Sequence, residues 1–128
     1  MTCEGRGSTI QPWSGTTNYK QEADSYFASI REKMKTLDQT RPITAVQWDF
    51  PDQDYARDQV ARHMDIISVN KYSAWYTDPG HTELITTQIV SSLRRWREAH
   101  GKPLMVTEYG ADTVAGLHSL PSLQFTED

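Results

Sequence analysis

DIISVNKYSAWYTDPGHTELITTQIVSSLRRWREAHGKPLMVTEYG, running from Asp65 to Gly110, sets two apolar runs on either side of an amphipathic one, and that order decides the fold. DIISVNKY (Asp65 to Tyr72) and PLMVTEYG (Pro103 to Gly110) have the length of strands and are largely apolar. Runs of this kind belong to strands covered on both faces, as in parallel sheets. Between them, from Thr82, the residues Leu84, Ile85, Ile89, Leu93 and Trp96 recur at helical spacing, and Arg94, Arg95 and Arg97 load the last turns before Gly101 and Pro103 end the helix. The loop SAWYTDPGH turns sharply at its DPG.

The same alternation extends upstream. From Asn18, the residues Tyr26, Phe27, Ile30, Met34 and Leu37 recur at helical spacing, with Glu22 and Asp24 near the start and Lys33 and Lys35 near the end, as a helix dipole favours. Pro42 stops that helix, because its ring disfavours a helical Arg41. ITAVQW (Ile43 to Trp48) is a further strand covered on both faces, and DFPDQDYARDQVARHM is a polar connection holding one short helix. Residues 1–17 show no period and read as a disordered tail, whereas residues 18–128 read as one structured unit. Helices alternating with strands imply βα units around a parallel sheet, an α/β fold of three parallel strands with flanking helices. ADTVAGLHSLPSLQFTED, after the last strand, has no clear period.

Bulk properties exclude several roles. A chain of 128 residues, 37% hydrophobic and 10% aromatic, is too apolar to remain unfolded and long enough for one modest core. A formal charge of −4 and a pI near 5.5 offer no basic surface for a phosphate backbone, so no nucleic-acid partner is expected. No apolar run approaches the ~20 residues that cross a bilayer, so no membrane partner is expected either. Cys3 is the single cysteine, which rules out an intrachain disulfide or a thiolate cluster. His81 and His118 lack ligand spacing, and neither a metal nor another cofactor is expected.

In α/β sheets, reactive residues sit at the C-terminal ends of strands, where the connecting loops gather. The three ends here are Trp48-Asp49, Asn70-Lys71-Tyr72 and Thr107-Glu108-Tyr109-Gly110. Glu108 stands where a buried run opens, and a carboxylate there must be solvated, paired or reactive, because burying it alone is costly. From residue type and spacing, a catalytic glutamate and a salt-bridged structural one both remain open.

LDQTRPIT (Leu37 to Thr44), DIISVNKYSAWYTDPGHTEL (Asp65 to Leu84) and KPLMVTEYGADTVAGLHS (Lys102 to Ser119) resemble consecutive blocks of the β-glucuronidases of glycoside hydrolase family 2. The resemblance runs from about Asn18 to Asp128 in unchanged order. It implies part of a TIM (β/α)8 barrel, open rather than closed, with strands five, six and seven at Ile43–Trp48, Asp65–Tyr72 and Pro103–Gly110. It implies hydrolysis of β-D-glucuronides by a retaining mechanism, in carbohydrate or glycosaminoglycan metabolism, with Glu108 matching the nucleophile. Tyr72 matches a tyrosine beside that nucleophile, and Asn70, Trp75 and Tyr76 match the aromatic loop at the cleft. Strand-end or loop packing remains the alternative for these four.

The resemblance also marks departures. Counting back from LDQTRP puts Gly15 where the family carries its acid/base glutamate, and the family's segment for the sugar carboxylate falls beyond Asp128. Lys71, although next to Asn70, is not assigned to that carboxylate. The chain is therefore expected to be inactive by itself. The alternative is a non-catalytic homologue that self-associates or docks on a full-length enzyme through open sheet edges. By resemblance the family is lysosomal in animals, whereas MTCEGRGSTIQPWSG lacks the pattern of a secretory signal and suggests the cytosol.

Overall fold

The computed structural model describes residues 17–49, 53–121 and 123–127. Strands β1 (Thr44–Gln47), β2 (Ile66–Lys71) and β3 (Leu104–Tyr109) form one parallel sheet in the order β1-β2-β3. Each strand is one residue shorter at both ends than its apolar run, because the outermost residues already turn into loops. The fold is α/β and the sheet is an open arc, as the resemblance implies.

One expectation fails at the edges. The central strand is covered on both faces, with Ile67, Ser68 and Val69 fully buried. In the outer strands Val46 and Met105 stay 53% and 42% exposed. Thr44 Oγ1 lies 2.7 Å from Ser68 Oγ, and Met105 pairs with Ser68, so these residues share one face, the side away from the buried core. In a closed barrel other strands fill that face; among the described residues no fourth strand joins the sheet.

The core lies on the opposite face. Helix α2 (Ile85–His100) follows a 3₁₀ turn at Thr82–Leu84 and ends at Gly101, whose φ of 65° is left-handed and whose N–H donates to the Arg97 carbonyl at 2.8 Å. It lays fully buried Trp96 over Ile67 and Val69, with Leu93, Ala99, Leu104 and Val106 packed around them. Tyr55 completes the cluster edge-on to Trp96, with ring centroids 4.8 Å apart. Tyr55 comes from the polar connection, which folds as two 3₁₀ turns, Tyr55–Arg57 and Ala61–His63, in place of the single expected helix. Asp58 explains the break, since its carboxylate takes the amides of Val60 and Ala61 at 2.9 and 2.7 Å and starts a second turn.

Helix α1 (Thr17–Leu37) forms where the helical spacing expects it. Its apolar stripe is only partly covered: Phe27 and Ile30 are half-buried, whereas Tyr26, Met34 and Leu37 are 61%, 45% and 76% exposed. Polar contacts also dock it. Arg31 donates to the His63 carbonyl and to Asp65 Oδ1, both at 2.6 Å, and Lys35 reaches Asp65 Oδ2 at 2.9 Å. The expected tail overlaps the described residues only at Thr17, which opens α1; residues 1–16 lie outside them.

Asp65 is thus the hinge pin of α1. The Ile43 amide, then Lys35 and Arg31, hold its carboxyl well below the usual carboxylate range. A depressed native value adds stability above the unfolded value near ~4 and loses it as pH falls through the native one. Because the group is partly exposed, Asp65→Asn should cost only about 0.5–1 kcal/mol. Amide exchange of α1 should then speed up roughly two- to fivefold while β2 is unchanged; equal acceleration in both would refute a local role.

Candidate active site

The ends of β2 and β3 bring the chemistry together. Val69 pairs with Val106, yet the next pair is Asn70 with Glu108, so Thr107 is an extra residue and the ladder carries a bulge. In an unbulged register Glu108 would face Lys71, and a one-residue slip turns a side chain to the other face of the sheet. With the bulge, Glu108 lies on the side of Asn70 and Tyr72, and the Tyr72 phenol donates to Glu108 Oε2. That contact, followed by partial burial and the Glu108 charge, pushes the Tyr72 phenol up to about 12, so it remains a donor at neutral pH.

Aromatic rings border this pair. Tyr76, 41% exposed, stands edge-on to Tyr72 with centroids 5.5 Å apart, and Trp48 at the end of β1 lies 6.4 Å from Tyr76. Trp75 is only 5% exposed; its ring meets Phe125 at 5.1 Å and its carbonyl accepts from Gln124. What remains accessible of Trp75 lines a cavity of about 320 Å³ with Lys71, Ile85, Ile89, Tyr109 and Leu123. Thus Tyr72 meets Glu108 and Tyr76 stands beside Tyr72, whereas Trp75 is packed against Phe125. Sequence reading missed Trp48 as part of this rim, although its place at a strand end is the same signal that marked Asn70 and Tyr72.

Lys71 faces the helix layer. Its ammonium bonds the Asp49 carboxylate, which also accepts from Ser92 Oγ at 2.5 Å and Trp96 Nε1 at 3.0 Å. Burial works against the Asp49 charge, but hydrogen bonds from Lys71 and Ser92 and the Lys71 charge outweigh it, and the carboxyl ends up below its ordinary value. Burial and then Asp49 push the neighbouring Tyr55 phenol up to about 12. This network sits behind the strand carrying Asn70 and Tyr72 and uses up the Lys71 charge, so Lys71 is not directed at the Glu108 side.

His81 lies 2.8 Å from Glu83 and His118 lies 3.3 Å from Glu127. Among the described residues, no three His, Cys, Asp or Glu side chains are placed to share a metal ion. No described helix is long and apolar enough to cross a membrane.

Comparison with known proteins agrees with this geometry. The family model described as glycosyl hydrolases family 2, TIM barrel domain, matches residues 8–128. A β-glucuronidase of Paenibacillus borealis is 44% identical over 110 residues, covering 86% of this chain and 18% of the relative. The human β-glucuronidase is 38% identical over 111 residues, covering 87% and 16%. Among solved structures, the β-glucuronidase of Dictyoglomus thermophilum superposes with a TM-score of 0.67 at 40% identity, covering 81% of this chain and 17% of that one. A Ruminococcus gnavus β-glucuronidase in complex with D-glucuronic acid superposes at 0.63 and 30% identity, covering 83% and 18%. The chain spans less than a fifth of the length of these relatives. It belongs to glycosyl hydrolase family 2 and holds an open, three-stranded part of that family's TIM barrel domain.

Proposed function

We propose that this chain carries the nucleophile half of a retaining β-glucuronidase site, with Glu108 as the nucleophile. The observation that supports it is the bulge-directed Glu108 carboxylate, held by the Tyr72 phenol at the open end of the sheet. In a retaining cycle the carboxylate attacks the anomeric carbon and forms a glycosyl ester, and the aglycone leaves with a proton from a second carboxyl about 5–5.5 Å away. Water, giving its proton to the second carboxylate, then attacks the anomeric carbon, breaks the ester bond and frees the glutamate. Tyr72 orients Glu108 before attack and yields it as the ester forms. Tyr76 offers the flat face of a ring to the sugar, Asn70 a polar group, and Trp75 supports the loop that holds Tyr76.

The proton donor matches Gly15 in the family resemblance, so the 128 residues alone should not turn over glucuronides whose aglycone needs a proton. Fluoride leaves without one. Incubated with 2-deoxy-2-fluoro-β-glucuronyl fluoride, the chain should gain one fluoroglucuronyl group on the peptide holding Glu108, read by mass spectrometry, and Glu108→Gln should gain none. Absence of the adduct, or an adduct at another residue, would sink the nucleophile role. Steady hydrolysis of a chromogenic β-glucuronide by the wild-type chain, lost in Glu108→Gln, would keep that role and overturn the inactivity.

The exposed Val46 and Met105 beside the open edges of β1 and β3 favour a second reading, a non-catalytic chain that associates with copies of itself or with a full-length homologue. Light scattering of the chain alone and mixed with such an enzyme tests it; a monomer in both samples refutes it.

A further inference from the structure

We infer that the Thr107 hydroxyl latches the bulge that turns Glu108 onto the Tyr72 side of the sheet, which makes Thr107 a positioning residue for that carboxylate. The catalytic meaning of this role rests on Glu108 being the nucleophile; the latch itself does not.

The bulge needs a cause. An unbulged ladder would pair Asn70 with Thr107 and Lys71 with Glu108 and leave no residue out, whereas a bulge leaves one residue unpaired. The Thr107 side chain makes up for this at the point where the register shifts. Its hydroxyl donates to Asn70 Oδ1 at 2.8 Å and lies 3.3 Å from the Val69 carbonyl, and Val69 and Asn70 are the two residues between which the register changes. The alternative register would also turn Glu108 toward the face where Lys71 already holds the Asp49 carboxylate, bringing two carboxylates toward one ammonium. The hydroxyl and this like-charge penalty both favour the bulge, but only the hydroxyl belongs to Thr107.

Valine isolates the hydroxyl, since it keeps the β-branched shape that strands favour. In the wild-type chain and in Thr107→Ser, cross-strand NOEs should join Asn70 to Glu108. In Thr107→Val they should shift toward an Asn70–Thr107 pairing. With carbon-13-labelled tyrosine, and Tyr72→Phe to assign the signal, the Tyr72 phenol should stay protonated at about pH 11 in wild type and Thr107→Ser. In Thr107→Val its midpoint should fall from about 12 toward the ordinary tyrosine value near ~10, as it parts from Glu108.

Asn70→Ala removes the acceptor instead of the donor and should repeat both changes, which keeps the test available if the valine variant does not fold. Unchanged NOEs and an unchanged Tyr72 midpoint in either folded variant would overturn the inference. Failure of the fluoride reagent to label wild-type Glu108 would overturn the nucleophile role alone, because the NOEs and the phenol titration do not depend on turnover.

Discussion

Asp49→Ala is expected to lose about 3–5 kcal/mol of stability, a large share of the ~5–15 kcal/mol typical of a folded domain. The Asp49 side chain is 2% exposed and that of Lys71 is 9% exposed, so removing the carboxylate strands a buried ammonium. It also leaves Ser92 Oγ and Trp96 Nε1 without the acceptor they share. Lys71→Met should cost less, because the Asp49 carboxylate would keep Ser92 and Trp96 as donors and the methionine chain would fill the lysine's volume. With an m-value of roughly 2 kcal/mol per molar urea, Asp49→Ala should move the midpoint down by about 2 M, and Lys71→Met by clearly less. Equal midpoints, or the reverse order, would show that the shared acceptor is not what carries the stability.

The pH dependence has the same origin. A carboxyl with a native value below its unfolded one stabilises the fold above the unfolded value near ~4, and the gain disappears as pH falls through the native value. Wild-type stability should therefore decline below about pH 4, and part of that slope should be missing in Asp49→Ala. Asp65 contributes to the same decline, but its effect falls on α1 and can be separated by amide exchange.

Trp96→Ala is the second large effect, expected at about 3–5 kcal/mol for emptying a fully buried indole site. Trp96 touches three parts of the fold at once: Tyr55 edge-on at 4.8 Å, His100 stacked at 5.7 Å, and Asp49 through the indole N–H. It therefore ties the connection after β1 and the C-terminal turn of α2 to the sheet. Trp96→Phe should recover part of the loss, since it restores a ring but not the donor. Near-UV circular dichroism and urea denaturation check both variants; a shift below about 1 kcal/mol in Trp96→Ala would mean that the helix does not depend on this contact.

The two effects bear on the site although neither residue touches it. Asp49 and Lys71 join the end of β1 to the strand that carries Asn70 and Tyr72, and Trp96 presses α2 against the same strand. If β2 shifts, Tyr72 shifts with it, and the carboxylate it holds loses its orientation. Stability losses at the back of the sheet should therefore also slow covalent labelling of the proposed nucleophile Glu108.

What repeats locally was legible before any tertiary contact was known. Short runs rich in apolar residues placed β2 and β3 to within a residue at each end, the stripe ending in Trp96 placed α2, and Gly101 marked its stop, because strand and helix periods are imposed by backbone geometry and solvent alone. At the strand ends, residue type left Glu108 open between catalysis and structure, and only the resemblance to glycoside hydrolase family 2 singled it out, with Asn70 and Tyr72 matched beside it. Only the tertiary structure decided which way those groups point and what covers them. The bulge at Thr107 depends on the register between two strands, and a bulge leaves no period to read. The Asp49–Lys71 pair and the Trp75–Phe125 contact join residues far apart in the chain, where the outcome depends on how loops close. The apolar stripe of α1 marked a helix, but Tyr26, Met34 and Leu37 stayed in solvent, because a stripe states only that a helix can bury a face, and the polar grip of Asp65 on Arg31 and Lys35 helps to decide where this helix sits.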